Sequence, residues 1–244
     1  MKFTAQTSIK KPTILIIGSF EPLLREHIAV AETLVARCTG LELDPGVIII
    51  DPLPWDILHP ESPSPKHCDL STKIKSFKNI GIKTVLSCRF DQESLSIDAF
   101  KFLNFLRKTL PLAGLWLGAN QSLGPGPRGS GRAVAEFAAL AQIELKVIGH
   151  DNYLKLKSQQ IREKLSLGDI EGAKEISGFY PEFRFVPGSQ PPRLHWHPGI
   201  YQAIPEDGGE PLPLMVASDG SAVFLESDVD TKHFKIMKSE NFFK

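Results

Sequence analysis

The residues closest to chemistry stand early in the chain. Gly18, Ser19 and Phe20 close the apolar run "TILIIG" and open a helix that carries one histidine, His27. A helix starting just after a buried strand presents free N–H groups and a partial positive charge, which suits phosphate. A histidine on its first turn could donate to phosphate oxygens and stabilise charge building on a transferred phosphoryl group. Two readings stay open for His27: a phosphate contact, or a side chain packed or solvated at ordinary strand–helix punctuation. Glu26, its neighbour, would repel a polyphosphate unless protonated or turned away.

Other constellations carry less. The stretch "LGANQSLGPGPRGSGR" (117–132) contains Gly124-x-Gly126-x-x-Gly129 between a strand and a helix, with Asp151 about 20 residues further on, as a dinucleotide fingerprint would want. Pro125 and Pro127 remove amide donors from that loop, and a surface loop is the plainer account. His195 and His197, and the trio His59, His67 and Cys68, lack four-ligand zinc spacing, so no metal site is assigned. "LWLGANQSLG" has no Gly-x-Ser-x-Gly elbow for a nucleophilic hydrolase.

The elements that must position these residues alternate over the first 150 residues. "TILIIG" (13–18), "GVIIID" (46–51), "IKTVLSCRF" (82–90), "LAGLWLG" (112–118) and "ELKVIGHD" (144–151) read as strands, the first two as short β-branched runs buried on both faces. Ile28, Val30, Ala31, Leu34 and Val35 recur at helical spacing. "SIDAFKFLNFLRKTL" (96–110) is expected to be a helix with Ser96 as N-cap and Asp98 in its first turn. "GRAVAEFAALAQI" (131–143) is another helix, and "SQQIREKLSLGDIEGAKEISG" a helical pair broken at Gly168–Asp169. The alternation predicts an α/β doubly wound parallel sheet with ligands at the carboxyl ends of its strands. The proline-dense 51–71 reads as a long loop beside that crevice, and from about Pro181 a Pro- and Gly-rich tail suggests a small β-rich appendage.

Several stretches, in order, resemble the bacterial FAD synthetase family, bifunctional riboflavin kinase/FMN adenylyltransferases. "GSFEPLLREH" is similar to its "G-x-F-D-G-x-H-x-G-H" start. "IIIDPLPWDIL" is similar to its strand and "F-x-P-H-P-x-x-x-L", keeping Pro52 and Pro54. Lys73, Gly81, Phe90, Asp91, Leu95, Ser96 and Phe100 keep the register of a third segment, and "IREKLSLGDIEGAKEISGFY" that of a fourth. The resemblance spans roughly residues 14–204 and rests on the order of the motifs. It implies a nucleotidyltransferase, Rossmann-like domain over 1–180 and a truncated flavokinase-like appendage over 181–244.

The departures fall on the chemistry that the resemblance implies. Leu24 replaces the family's first histidine and cannot donate a hydrogen bond; Glu26 replaces the motif glycine, Glu21 the aspartate, and only His27 remains of the histidine pair. Arg25 should point elsewhere on the helix. The family's "S-S-T-x-I-R" becomes "KSQQIR", keeping Ser158 and Arg162, with Lys157 as an added cation. These contact phosphate if the resemblance holds, or form a solvated helix face. Asn120, Gln121 and Leu123 replace an aspartate and two aromatics in the flavin pocket, removing stacking surface.

The implied activity is FMN adenylyl transfer, FMN and ATP giving FAD and pyrophosphate with magnesium. His27 and Arg162 would be the catalytic residues, Gly18, Ser19, Phe20, Lys157 and Ser158 the nucleotide contacts, and Asn120 and Pro52 the flavin side. The alternative is a non-catalytic homologue that binds a flavin or nucleotide as sensor, carrier or protein partner. The tail lacks the family's "P-T-A-N" motif, which argues against riboflavin kinase activity.

Bulk properties agree with small-molecule partners. The 244 residues balance 28 Lys+Arg against 28 Asp+Glu, which gives no reason to expect a nucleic-acid footprint. The start "MKFTAQTSIKKPTILIIGSF" lacks a signal-peptide cleavage site, and no apolar stretch is long enough to cross a bilayer. Three unpaired-looking cysteines (Cys38, Cys68, Cys88) fit a reducing compartment, so a cytoplasmic protein without membrane partners is expected.

Overall fold

The computed structural model describes residues 2–5, 9–89, 91, 93–119, 121–124, 126–149, 151–188, 192–225, 229 and 232–240. The chain divides into two compact units. One comprises Met1–Phe20, Glu26–Pro60 and Ile74–Leu154. The other comprises Glu21–Arg25, Glu61–Lys73 and Lys155–Lys244.

The first unit is built on a six-stranded sheet. In chain order it contains β1 (Lys2–Ala5), β2 (Thr13–Gly18), β3 (Asp44–Asp51), β4 (Thr84–Arg89), β5 (Leu112–Gly118) and β6 (Glu144–Ile148), arranged spatially β1-β4-β3-β2-β5-β6. Strands β2 to β6 are parallel, with Ile16 opposite Val47 and Trp116 in register. β1 adds an antiparallel edge, Phe3 opposite Cys88. Its pairing was not foreseen, because four residues at a chain end carry too little pattern.

The order steps one way from β2 to β3 and β4, then crosses back to β5 and β6. Right-handed crossovers therefore place α1 (Arg25–Cys38) and α3 (Leu70–Asn79) on one face, and α4 (Ala99–Thr109) and α5 (Gly131–Ala141) on the other. Alternation along the strands matches. Leu15 and Ile17 join Leu86, Leu103, Leu106, Leu115, Val134 and Phe137 in one buried cluster, leaving Ile14 and Ile16 to the opposite face. The doubly wound α/β architecture is the one expected from the alternation.

Three local expectations are corrected. The N-cap of α4 is Asp98, whose carboxylate accepts from Lys101 N at 2.9 Å, and not Ser96. Ser96 closes a preceding 3₁₀ turn (Glu93–Ser96) by donating to Glu93 O. Within the proline-dense loop, Pro54–Leu58 forms a short helix, α2, with Pro at its first turn, where a missing N–H costs nothing. Strand β6 ends at Ile148, before the glycine with positive φ at 149.

The second unit carries a five-stranded antiparallel sheet, confirming the β-rich appendage. Its strands are β7 (Glu182–Phe185), β8 (Gly199–Pro205), β9 (Leu212–Val216), β10 (Ala222–Phe224) and β11 (Lys232–Glu240), in the order β10-β9-β8-β11-β7. Tyr201, Ala203, Leu214, Val216, Phe234 and Ile236 are buried in it. The helical pair is α6 (Asp151–Ser166) and α7 (Ile170–Ser177), separated as expected at Gly168–Asp169. There Gly168 takes φ +75° and Asp169 caps α7 by accepting from Gly172 N at 2.9 Å.

Candidate functional site

In the first unit the turn after β2 is packed with carbon. Phe20 has φ +50°, a left-handed backbone that costs a non-glycine residue about 1–2 kcal/mol. Burying its ring offsets that cost, at roughly 1.5–3 kcal/mol for a full phenylalanine side chain. The ring lies over Gly18, 3.0 Å from where a Cβ would stand. It meets the His27 ring edge-on, centroids 5.4 Å apart, and the Phe77 ring at 4.8 Å. Ser19 and His27 are half-buried. Gly18, Phe20 and His27 are therefore brought together, around an aromatic ring. Glu26 sits half-buried in the first turn of α1, where an acidic side chain favours the helix dipole.

At the carboxyl ends of β3 and β4 the same unit holds a cavity of about 460 Å³, within the usual range of small-ligand sites. Ile50 and Cys88 supply its floor from the strand ends. Pro54 and Leu58 of α2, Ser94, Leu95, Ile97 and Phe102 around the start of α4, and Ser122, Leu123 and Gly124 of the post-β5 loop supply its walls. Burial pushes the Cys88 thiol up to about 11, so it lines the cavity as a neutral group. The two hydroxyls are engaged. Ser94 Oγ donates to Asp91 Oδ1, and Ser122 Oγ to the carbonyls of Gly124 and Gly129 at 2.8 and 3.0 Å.

The glycine-rich loop closes one wall. Gly124, φ +112°, approaches Ile97 O so closely that a Cβ would lie 2.4 Å from it, and a Cβ on Gly129 would strike Gly124 O. The glycines thus serve backbone packing, and Gly126–Gly129 is a 3₁₀ turn. Gln121 accepts from Gly118 N at 3.2 Å and donates to Ile17 O at 2.8 Å. Its amide bridges the ends of β5 and β2, where the strand order reverses and ligands bind in such sheets. Pro52 is half-buried and is not among the lining residues, whereas Pro54 lines the cavity. Asn120 lies outside the described residues.

In the second unit Glu21 is a hub. Its carboxylate, with the side chain 1% exposed, pairs with Lys73 Nζ at 2.8 Å, Lys73 being 2% exposed. It also accepts from the His67 backbone N–H and, at 3.9 Å, from Cys68 Sγ. Arg162 donates to the Glu21 carbonyl at 2.8 Å, and Arg25 donates to Gly178 O at 3.5 Å. Leu24 is fully buried. Lys157 and Ser158, half-buried, precede Arg162 on α6.

The buried His67 ring meets Ser177 Oγ at 3.1 Å and Phe179 O at 3.2 Å through Nε2. Desolvation chiefly lowers its pKa, and Glu21 opposes that shift. Burial raises the Cys68 thiol well above its ordinary value. Trp196 pins the His195–His197 segment by donating to Lys66 O at 2.6 Å. Among the described residues no three His, Cys, Asp or Glu side chains are grouped to hold a metal ion. Nor is any described helix long and apolar enough to cross a membrane.

The cavity walls come from segments far apart in sequence, and only strand ends signal such a place beforehand. Leu58, Cys88, Ile97 and Phe102 were therefore not singled out as site residues. Doubly wound order, strand-end cavity and antiparallel appendage define an α/β protein of the nucleotidyltransferase-like type. The family model for FAD synthetase matches residues 6–162, more than half of the chain, and the chain belongs to that family. A crystal structure described as a macrolide-efflux protein from Streptococcus pneumoniae is similar in fold. It has 13% identity and a TM-score of 0.68, covering 98% of this chain and 89% of that one. No curated protein matches the chain.

Proposed function

We propose that this FAD synthetase-family chain binds a flavin, seating the flat ring in the strand-end cavity, and that adenylyl transfer no longer takes place. The observation that carries the reading is the cavity itself. About 460 Å³ of largely apolar space lies between α2, the start of α4 and the loop 122–124; the resemblance sets the flavin side at Pro52, just before α2, and at Asn120, just before that loop. Aliphatic walls with few polar groups suit a fused aromatic ring.

The residues around Gly18 do not fit the magnesium triphosphate that the family implies. In the first unit the Phe20 ring covers that glycine; taken by itself, the second unit has Leu24 in place of a donor and the Glu21 carboxylate engaged with Lys73. FMN adenylyl transfer, the second reading, is favoured by one observation: His27 stands half-buried on the first turn of α1 beside Gly18.

Flavin fluorescence titration of the full chain with FMN and FAD, alongside an assay with FMN, labelled ATP and magnesium, tests both. We expect saturable flavin binding with no FAD or pyrophosphate formed. Failure of both flavins to bind overturns the proposal. Formation of FAD that is lost in His27→Ala establishes the second reading in its place.

A further inference from the structure

We infer that the outer edge of β6 is a docking surface for a second copy of this chain, the two β6 strands pairing antiparallel about a two-fold axis through Leu145.

β6 is the last strand of the six-stranded sheet, and its described ladder runs along one side, to β5. β2, β3 and β5 are nearly continuous runs of buried residues, whereas none of Glu144–Ile148 is buried and Lys146 and Val147 are exposed. Among the described residues of the first unit, the two most exposed large apolar side chains belong to this edge. They are Val147, at 61%, and Leu140, at 79%, on the helix α5 that packs on β6.

A strand edge with exposed apolar side chains is a template for another strand, and many proteins guard such an edge with a lysine. Lys146 is turned away from that duty. Its ammonium lies 4.0 Å over the Trp116 ring, on the face of the sheet. Glu144 is drawn to the same face, accepting from Trp116 Nε1 at 2.9 Å and from Arg37 at 3.1 Å.

The strand's own sequence selects the partner. Ile143-Glu144-Leu145-Lys146-Val147 is complementary to itself read backwards. Antiparallel pairing centred on Leu145 sets Ile143 against Val147, Leu145 against Leu145 and Glu144 against Lys146. Directly opposed residues share a face, so apolar meets apolar on the side where Ile143 and Leu145 join the core cluster, and carboxylate meets ammonium on the Trp116 side. Centring one residue further on would set the two Lys146 ammonium groups against each other, which is unfavourable. An interface that uses the same patch on both copies closes at a dimer.

Sedimentation equilibrium of the full chain over a range of concentrations is the test. The expected result is a reversible monomer–dimer equilibrium, with the mass converging on twice that of the chain. Val147→Lys should leave only monomer, with circular dichroism unchanged because the side chain is exposed. Glu144→Lys alone opposes like cations and Lys146→Glu alone opposes like anions, so each should be monomeric, and their equimolar mixture should recover the dimer. Val147→Lys carries the test if either charge variant fails to fold. A parent chain that stays monomeric at every concentration overturns the inference. So does a dimer that persists in Val147→Lys, which places the contact elsewhere. Folded charge variants that do not associate when mixed overturn it as well, because they deny the register.

Discussion

At the scale of single residues, the buried pair Glu21–Lys73 shows what became of the turn's carboxylate. Removing one partner of a buried ion pair strands the other charge, a loss of about 3–5 kcal/mol. Lys73→Met should therefore lower the urea midpoint strongly, and the double variant Glu21→Leu/Lys73→Met should regain part of that loss. A single variant as stable as the parent would remove Glu21 from the hub role. His67 gives a pH signature. Its folded pKa is lowered, mainly by burial, so above about pH 6.5 the ring is neutral both folded and unfolded. As pH falls below 6.5 the unfolded chain takes up a proton that the fold resists, and stability drops until the lowered folded value is passed. Thermal unfolding from pH 7 to pH 5 should show this drop in the parent and a shallower one in His67→Gln.

At the scale of elements, capping separates sequence expectation from structure. Asp98→Ala removes the acceptor for Lys101 N and should cost about 1 kcal/mol, whereas Ser96→Ala should change the denaturation midpoint little. The two residues are both good caps two positions apart, and sequence alone ranks them poorly. Strands were easier. The uninterrupted runs at 13–18 and 112–118 are bounded by turn residues, and they match β2 and β5 to the residue. β1 and α2 were not legible, since four or five residues carry no period. The candidate site was partly legible. Gly18, Phe20 and His27 come together because they are neighbours in sequence, while the cavity gathers side chains from four separate segments. The left-handed Phe20 that covers Gly18 has no sequence signal, because only glycine or asparagine announces such a backbone.

At the scale of the whole molecule, ligand and stability are linked by mass action. A flavin held only by the folded protein should raise its stability by about 2.7 kcal/mol at a hundred times the dissociation constant. Melting of the full chain with and without riboflavin should show the upward shift. In Leu123→Trp the shift should vanish relative to that variant's own unliganded melt, which removes any overpacking cost from the comparison. An undiminished shift in the variant would move the ligand out of the cavity.

The short helix α2 adds a last consequence. Trp116 and Trp196 are buried, at 1% and 4% exposure, but Trp55 on α2 is 53% exposed, and its neighbours Pro54 and Leu58 line the cavity. Iodide should thus reach one indole far more readily than the other two. A guest seated behind α2 will report its arrival as a change in the quenchable fraction of the protein's own emission, without any dye or label attached.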